Sequence, residues 1–315
     1  MHRTIAKFVT LVILIFAAVA ATSCSRARST ERETPNFHQA GSPFREPKTT
    51  GRIESEEIDE SSGLGVSRCQ SNLMWTHNDS GDGAFIYAID FSGKSLGTWK
   101  VEGAENRDWE DIDTYKDAAG RCWLYIGEIG NNESKRDKTV VYRIVEPTLT
   151  TDARDSNRKQ PLSAGPAESI NVDFTESRPN SETLLINPKS GDIYIVSKRL
   201  DGPAAVFKIP PHFGETVTAQ KMAEITVPSV PNGLLTGGDI AADGTRLVLC
   251  DYAAGYEYSL PSNTANFDDI WKQASVKFDL GTRKNGEAIA YSTDGNSIFA
   301  TSEGKRQPII RVDRK

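Results

Sequence analysis

Five segments of one shape recur along the chain and constrain its fold more than any other feature. They are Ile86-Tyr87-Ala88-Ile89, Val141-Tyr142-Arg143-Ile144, Val206-Phe207-Lys208-Ile209, Glu257-Tyr258-Ser259-Leu260 and Ile309-Ile310-Arg311-Val312. Their second positions lie 55, 65, 51 and 52 residues apart. Ahead of each runs a second apolar strand: LMWTH at 73–77, WLYIG at 123–127, IYIVS at 193–197, LVLCD at 247–251 and IFATS at 298–302. Ahead of that comes a third: SSGLGVS at 61–67, DIDTY at 111–115, TLLINP at 183–188, DIAADG at 239–244 and EAIAYSTDG at 287–295. Outer strands follow most units. A unit of this size cannot bury its apolar faces alone, and radial repetition of four strands per unit is the blade of a propeller. The expected fold is therefore all-β, a β-propeller of five four-stranded blades. The last unit lacks its outer strand, and GRIESEEI at 51–58 is placed to supply it and close the ring. A six-bladed ring is the alternative; its extra unit would have to lie between Val145 and Ser169, a stretch whose Asp, Ser, Pro and Arg read as an excursion loop.

The N-terminus sets the compartment. Arg3 and Lys7 precede an apolar run from Phe8 to Ala21 that ends in small residues and Cys24. That is the shape of a signal peptide, too short for a membrane span, and AATSC reads as a lipoprotein processing site over 1–23 with Cys24 acylated. Ordinary secretory cleavage is the competing reading. Ser25 carries no charge for inner-membrane retention, so the expected location is the outer membrane, facing the periplasm. Residues 24–50 hold scarcely an apolar side chain and read as a tether, leaving 51–315 as the propeller domain. Processing lowers the basic count from 37 to 35 against 43 acidic residues, a net of about −8. A chain of that charge gains nothing from phosphate backbones, so nucleic acid is excluded as a partner and a monomer is expected.

Propeller topology then assigns chemistry to positions. An innermost strand begins, and the second strand ends, at the same mouth of the channel. The innermost strands open at Glu60, Glu110, Glu182 and Glu287, and the second strands close at Asn78-Asp79, Glu128, Lys198, Asp251 and Glu303. Blade four departs, with Thr236 where the Glu belongs and Asp239 three residues later. The loops THNDSGDG at 76–83 and RDWEDID at 107–113 add acidity. Converging hard oxygen ligands repel one another unless protonated, paired or metal-bound, and they suit Ca²⁺ or Mg²⁺. Asp79, Asp82, Glu110, Asp111 and Glu128 are the candidate ligands, although NDSGDG by itself is equally a turn. Lys198, Arg107 and Arg199 either neutralise this acidity or hold an anionic group beside a metal. There is no GxSxG, HExxH or Walker loop. The catalytic candidates are His77, Glu128 and Lys198, with His77 acting as base or ligand or else only fixing its loop.

WTHNDSGD, RDWEDI, YIGEIGNN and GEAIAYSTDG, spread over most of 60–295, resemble a family of secreted bacterial propeller proteins described as hypothetical or WD40-like. They are loosely similar to the phytase-like and esterase-like propellers as well. The phytase-like resemblance implies calcium in an acidic channel mouth that binds phosphate esters and activates water, with Asp79, Glu110, Asp111, Glu128 and Glu182 in those roles. The phosphate-facing bases would then be Lys198 and Arg199.

Cys69 and Cys122 both fall between the first and second strands of adjacent units, where a disulfide would staple blades one and two unless both are free thiols. Cys250 sits inside an apolar strand, the setting of a buried structural thiol. Two functions remain open. One is a lipid-anchored envelope propeller that binds a small molecule or protein at its acidic mouth; the other is a metal-dependent phosphoesterase or esterase.

Overall fold

The structure is a computed structural model that describes residues 42–132 and 136–315. The signal peptide, Cys24 and most of the tether lie outside them. The chain opens with β1 (Lys48–Arg52) and then lays down blade 1 as β2 (Ser61–Val66), β3 (Met74–Asn78), β4 (Phe85–Ile89) and β5 (Ser95–Glu102). Blade 2 follows as β6 (Trp109–Lys116), β7 (Cys122–Glu128), β8 (Thr139–Val145) and, after β9 (Leu162–Pro166), β10 (Glu168–Asp173). Blade 3 comprises β11 (Ser181–Ile186), β12 (Ile193–Ser197), β13 (Ala204–Ile209) and, after β14 (Thr216–Thr218), β15 (Gln220–Ile225). Blade 4 is β16 (Gly237–Ile240), β17 (Arg246–Cys250), β18 (Ala254–Ser259) and β19 (Val276–Asp279); blade 5 is β20 (Gly286–Tyr291), β21 (Ser297–Ser302) and β22 (Pro308–Asp313).

Each blade is an antiparallel four-stranded sheet, and the fold is a five-bladed β-propeller. Blades 1 and 2 gain a fifth, parallel strand from the longer connections, β9 beside β5 and β14 beside β10. The excursion after Val145 is thus an outer addition to blade 1, and no sixth blade lies among the described residues.

The ring closes where the two ends of the chain meet, since β1 pairs with β22 from Lys48↔Arg311 to Arg52↔Pro308. The closing strand starts earlier than GRIESEEI because Ile53 and Ile58 are drawn inward, into a core cluster with Leu64, Tyr87 and Phe299. Order extends back into the expected tether: Phe44 bridges Arg314 and stacks on Phe278 at 4.1 Å. β22 runs away from the mouth where Glu303 lies, so this entry point is on the opposite face.

Strands such as IYIVS are buried throughout because both faces of a blade meet a neighbour. Trp75 and Trp99 from blade 1 share one cluster with Trp109 and Tyr142 from blade 2. Near the axis the blades approach too closely for side chains on every residue. A Cβ on Gly63 would lie 2.5 Å from the Ile112 nitrogen, and one on Gly237 would lie 2.0 Å from the Glu287 carbonyl oxygen.

Candidate functional site

The innermost strands of four blades open on a β-bulge. The register slips between Ser61 and Leu64, between Trp109 and Asp111, between Ser181 and Thr183, and between Gly286 and Ile289. A bulge inserts a residue and re-aims its side chain. The residues that follow the first pair are Ser62, Glu110, Glu182 and Glu287, each buried at the acidic mouth. Blade 4 alone pairs in unbroken register from Gly237↔Cys250, and it contributes no carboxylate there. Its Thr236 hydroxyl instead donates to the Gly286 carbonyl at 2.9 Å. The position of blade 1 in this ring therefore belongs to Ser62, whose hydroxyl donates to the Glu110 carbonyl at 2.7 Å and to Glu287 Oε2 at 3.3 Å. Glu60 lies before the bulge and is exposed.

On the side of blades 1 and 2, Asp79, Asp108 and Glu110 bring one carboxylate oxygen each to within 4.8 Å of one another. Asp79 Oδ1 and Glu110 Oε1 are buried without a hydrogen-bond partner. Gly130, from the GEIGNN loop, keeps this space open, since a Cβ there would lie 2.1 Å from Glu110 Oε1 and 2.5 Å from Asp108 Oδ2. Arg136 pairs with Asp108 at 3.3 Å.

Burial, then the charges of Asp108 and Glu182, push Asp79 up to about 8. Burial and the charges of Glu182 and Asp79 hold Glu110 well above the carboxylate range. Burial and the charges of Glu182 and Glu303 push Glu287 up to about 9.

On the side of blades 3 to 5, Lys198 at the end of β12 lies 3.0 Å from Glu182 Oε1 and 3.7 Å from Glu287 Oε1. Its ammonium is 5.4 Å from the ring centre of Tyr252. Burial alone would lower its pKa, but Glu182 and Glu287 outweigh that and raise it. Glu303 stands beside Glu287 and accepts from the Asn285 amide at 3.1 Å.

Several residues singled out in the sequence lie elsewhere or are already occupied. Asp111 accepts from the Ile112 and Leu184 amides, both at 2.9 Å, and so caps the free edge of β11. Asp113 treats Ile186 alike, and Asp239 takes the Tyr291 amide at 2.7 Å. These carboxylates stitch neighbouring inner strands together. Asp82 is bound by Arg158, by Asn78 at 2.8 Å and by the Tyr87 hydroxyl at 2.5 Å, which spends it on fixing the 78–82 loop. Asp251 accepts from the Ala253 and Ala254 amides and the Tyr256 hydroxyl. Glu128 accepts from the Arg107 and Asp108 amides at 2.9 and 3.3 Å, which positions the backbone of Asp108. It also lines a cavity of about 240 Å³ with Arg107, Arg136, Tyr142 and Asn171. Arg199 pairs with Asp201 on the surface. His77, expected at the rim, is wholly buried, edge-on to Trp109 at 5.7 Å. Burial pushes its imidazole down to about 4, so it is neutral at pH 7.

Asp108 did not stand out in the sequence, although its alternation with Glu110 in RDWED places the two side chains on one face of an extended segment. Cys69 and Cys122 form a disulfide between blades 1 and 2. Cys250 is a buried thiol that burial pushes up to about 11.

Two buried carboxylates and the half-buried Asp79, with two orphaned oxygens opening to one mouth, match the oxygen donors that a hard divalent cation takes. Asp79, Asp108 and Glu110 would hold it.

No family model and no curated protein matches this chain. Among solved structures it is similar to a gluconolactonase from Xanthomonas campestris at 12% identity and a TM-score of 0.42, over 86% of this chain and 95% of that one. A soluble aldose sugar dehydrogenase from Escherichia coli, in its apo form, gives 11% identity and a TM-score of 0.45 over 86% and 99%. A putative 6-phosphogluconolactonase from Bacteroides uniformis gives 12% and 0.38 over 79% and 66%. Likenesses at this level do not bear on the chemistry of the mouth.

Proposed function

We propose that this protein is an exported envelope propeller, anchored through Cys24, whose acidic mouth binds one hard divalent cation, calcium foremost, and presents it to an oxygen-rich ligand. The observation that carries this reading is the pair of orphaned buried oxygens, Asp79 Oδ1 and Glu110 Oε1, converging with Asp108. A buried carboxylate without a partner costs several kcal/mol unless it is protonated or metal-bound. A divalent ion supplies the missing charge and makes a Lewis-acidic contact for hydroxyl or carbonyl oxygens of a ligand. The Cys69–Cys122 disulfide supports export, because such bonds persist in oxidising compartments.

Charge balance favours binding over phosphoester hydrolysis. Among the described residues, Glu60, Asp79, Asp108, Glu110, Glu182, Glu287 and Glu303 outnumber the cations paired with them, Arg136 on Asp108 and Lys198 on Glu182 and Glu287. One doubly charged ion leaves the mouth negative, which suits a neutral polyol or a cationic group and repels a phosphate ester. The expected general base is missing too, since His77 is sealed beneath the rim.

Calorimetric titration of the chelator-stripped, full mature chain with Ca²⁺ tests the reading. One ion per chain is expected, with at least a tenfold loss of affinity in Glu110→Gln. Absence of binding by the wild type, or an unaltered Glu110→Gln, refutes it. Chelator-sensitive ester or phosphoester turnover would replace the binding reading with the hydrolytic one.

A further inference from the structure

We infer that Lys198 is a resident cation standing in the place of blade 4, and that it restricts the mouth to a single metal ion. This rests on the cation reading above and concerns the opposite half of the same ring.

The inner ring has one place per blade. Ser62, Glu110, Glu182 and Glu287 fill four of them, each presented by a bulge. Blade 4 has neither the bulge nor the side chain, and its Thr236 is turned to a neighbouring carbonyl. The blades on either side of this gap are 3 and 5, whose ring residues are Glu182 and Glu287. The Lys198 ammonium lies within ion-pair distance of both.

Lys198 is therefore not a rim charge pairing with whatever is near. It comes from the end of β12 and spans the missing place. Its side chain is only 14% exposed, closed over by Tyr252. A buried ammonium is tolerable only when carboxylates hold it, and those carboxylates are tolerable only with a positive charge between them.

Without Lys198, the blade 3 to 5 half would lose the cation that Glu182 and Glu287 share. Glu182 and Glu287 would face each other with Glu303 and the Ser62 hydroxyl nearby, an all-oxygen set with no counter-ion. The two halves differ in how far their own cations reach. Arg136 pairs with Asp108 and leaves Asp79 Oδ1 and Glu110 Oε1 open to an ion from solution, whereas Lys198 lies between both of its carboxylates. A single exchangeable ion is the consequence.

Counting bound Ca²⁺ by calorimetry and equilibrium dialysis on the chelator-stripped, full mature chain tests this. The wild type and Lys198→Arg are expected to bind one ion per chain, and Lys198→Met two. One ion in Lys198→Met would overturn the inference while leaving the cation reading intact. No ion in the wild type would overturn both, and two in the wild type would overturn this inference alone. If Lys198→Met does not fold without metal, Lys198→Met/Glu287→Gln, which removes the surplus charge, is expected to fold and to bind one ion. Failure of that double variant to fold would also overturn the inference, because charge compensation would then not be what Lys198 provides.

Discussion

Stripping divalent ions from this protein and raising the pH above 6.5 should destabilise it steeply, and the sign follows from the mouth. Burial and neighbouring carboxylates push Asp79 up to about 8 and Glu287 up to about 9 in the folded chain, against ordinary values of 3.8 and 4.5. Glu110 moves the same way. A group whose folded pKa is raised stabilises below its unfolded value and loses that contribution as pH rises through the folded one. Between those limits the folded state holds protons that the unfolded chain has released. Each such proton costs about 1.4 kcal/mol per pH unit. His77 acts in the opposite sense, with a folded pKa pushed down to about 4, but its window ends at the ordinary imidazole value of 6.5. From pH 6.5 to 7.5 the carboxylates act without that opposition. Two held protons give a loss of about 3 kcal/mol over that unit, a large part of a typical domain's 5–15 kcal/mol. For a domain of this size the midpoint should fall by roughly 5–10 °C. Scanning calorimetry in chelator at pH 6.5 and 7.5 reads this directly. Saturating Ca²⁺ should flatten the dependence, because a bound ion replaces the protons. A midpoint that stays level or rises with pH in chelator would refute the protonated-carboxylate account.

Two further outcomes follow from other parts of the fold. Glu257 is buried and receives Arg314, the Tyr291 hydroxyl at 2.8 Å and Arg246 at 3.7 Å, tying the C-terminus to blade 4. Glu257→Ala strands two partly buried guanidinium groups and should cost about 3 kcal/mol, read as a lower denaturation midpoint with unchanged Ca²⁺ stoichiometry. Gly130→Ala drives a methyl group against Glu110 and Asp108. It should weaken Ca²⁺ binding by at least tenfold in titration while the circular dichroism spectrum stays that of the wild type.

The blade count was legible because each unit repeats its own strands, and a repeat needs no long-range information to be seen. Ring closure was legible for the same reason, the last unit being one strand short. The exact closing residues were not, because the choice between KTTGR and GRIESEEI depends on Ile53 and Ile58 finding a core that only the assembled ring supplies. The mouth was read by counting from strand starts, and this located Glu110, Glu182 and Glu287. In blade 1 the counted residue, Glu60, lies at the exposed rim, two residues before Ser62, which follows the first strand pair and takes the inner place. Asp111 and Asp82 look like ligands in any list of acidic residues. Their oxygens go instead to the amides of Ile112 and Leu184 and to Arg158, Asn78 and Tyr87, partners that lie up to 76 residues away.

Lys198 is the sharpest case, because its sequence position is ordinary and its meaning lies in an absence. It ends a second strand, as Glu128 and Glu303 follow the same logic in their own blades. Only the ring order shows that the two carboxylates it touches belong to the blades flanking the one that has none. Four bulges and one unbroken ladder make the propeller's mouth asymmetric, and that asymmetry decides which half is left open to a metal ion. The departure of blade 4 from the repeat is therefore as much a part of the site as the carboxylates that keep to it.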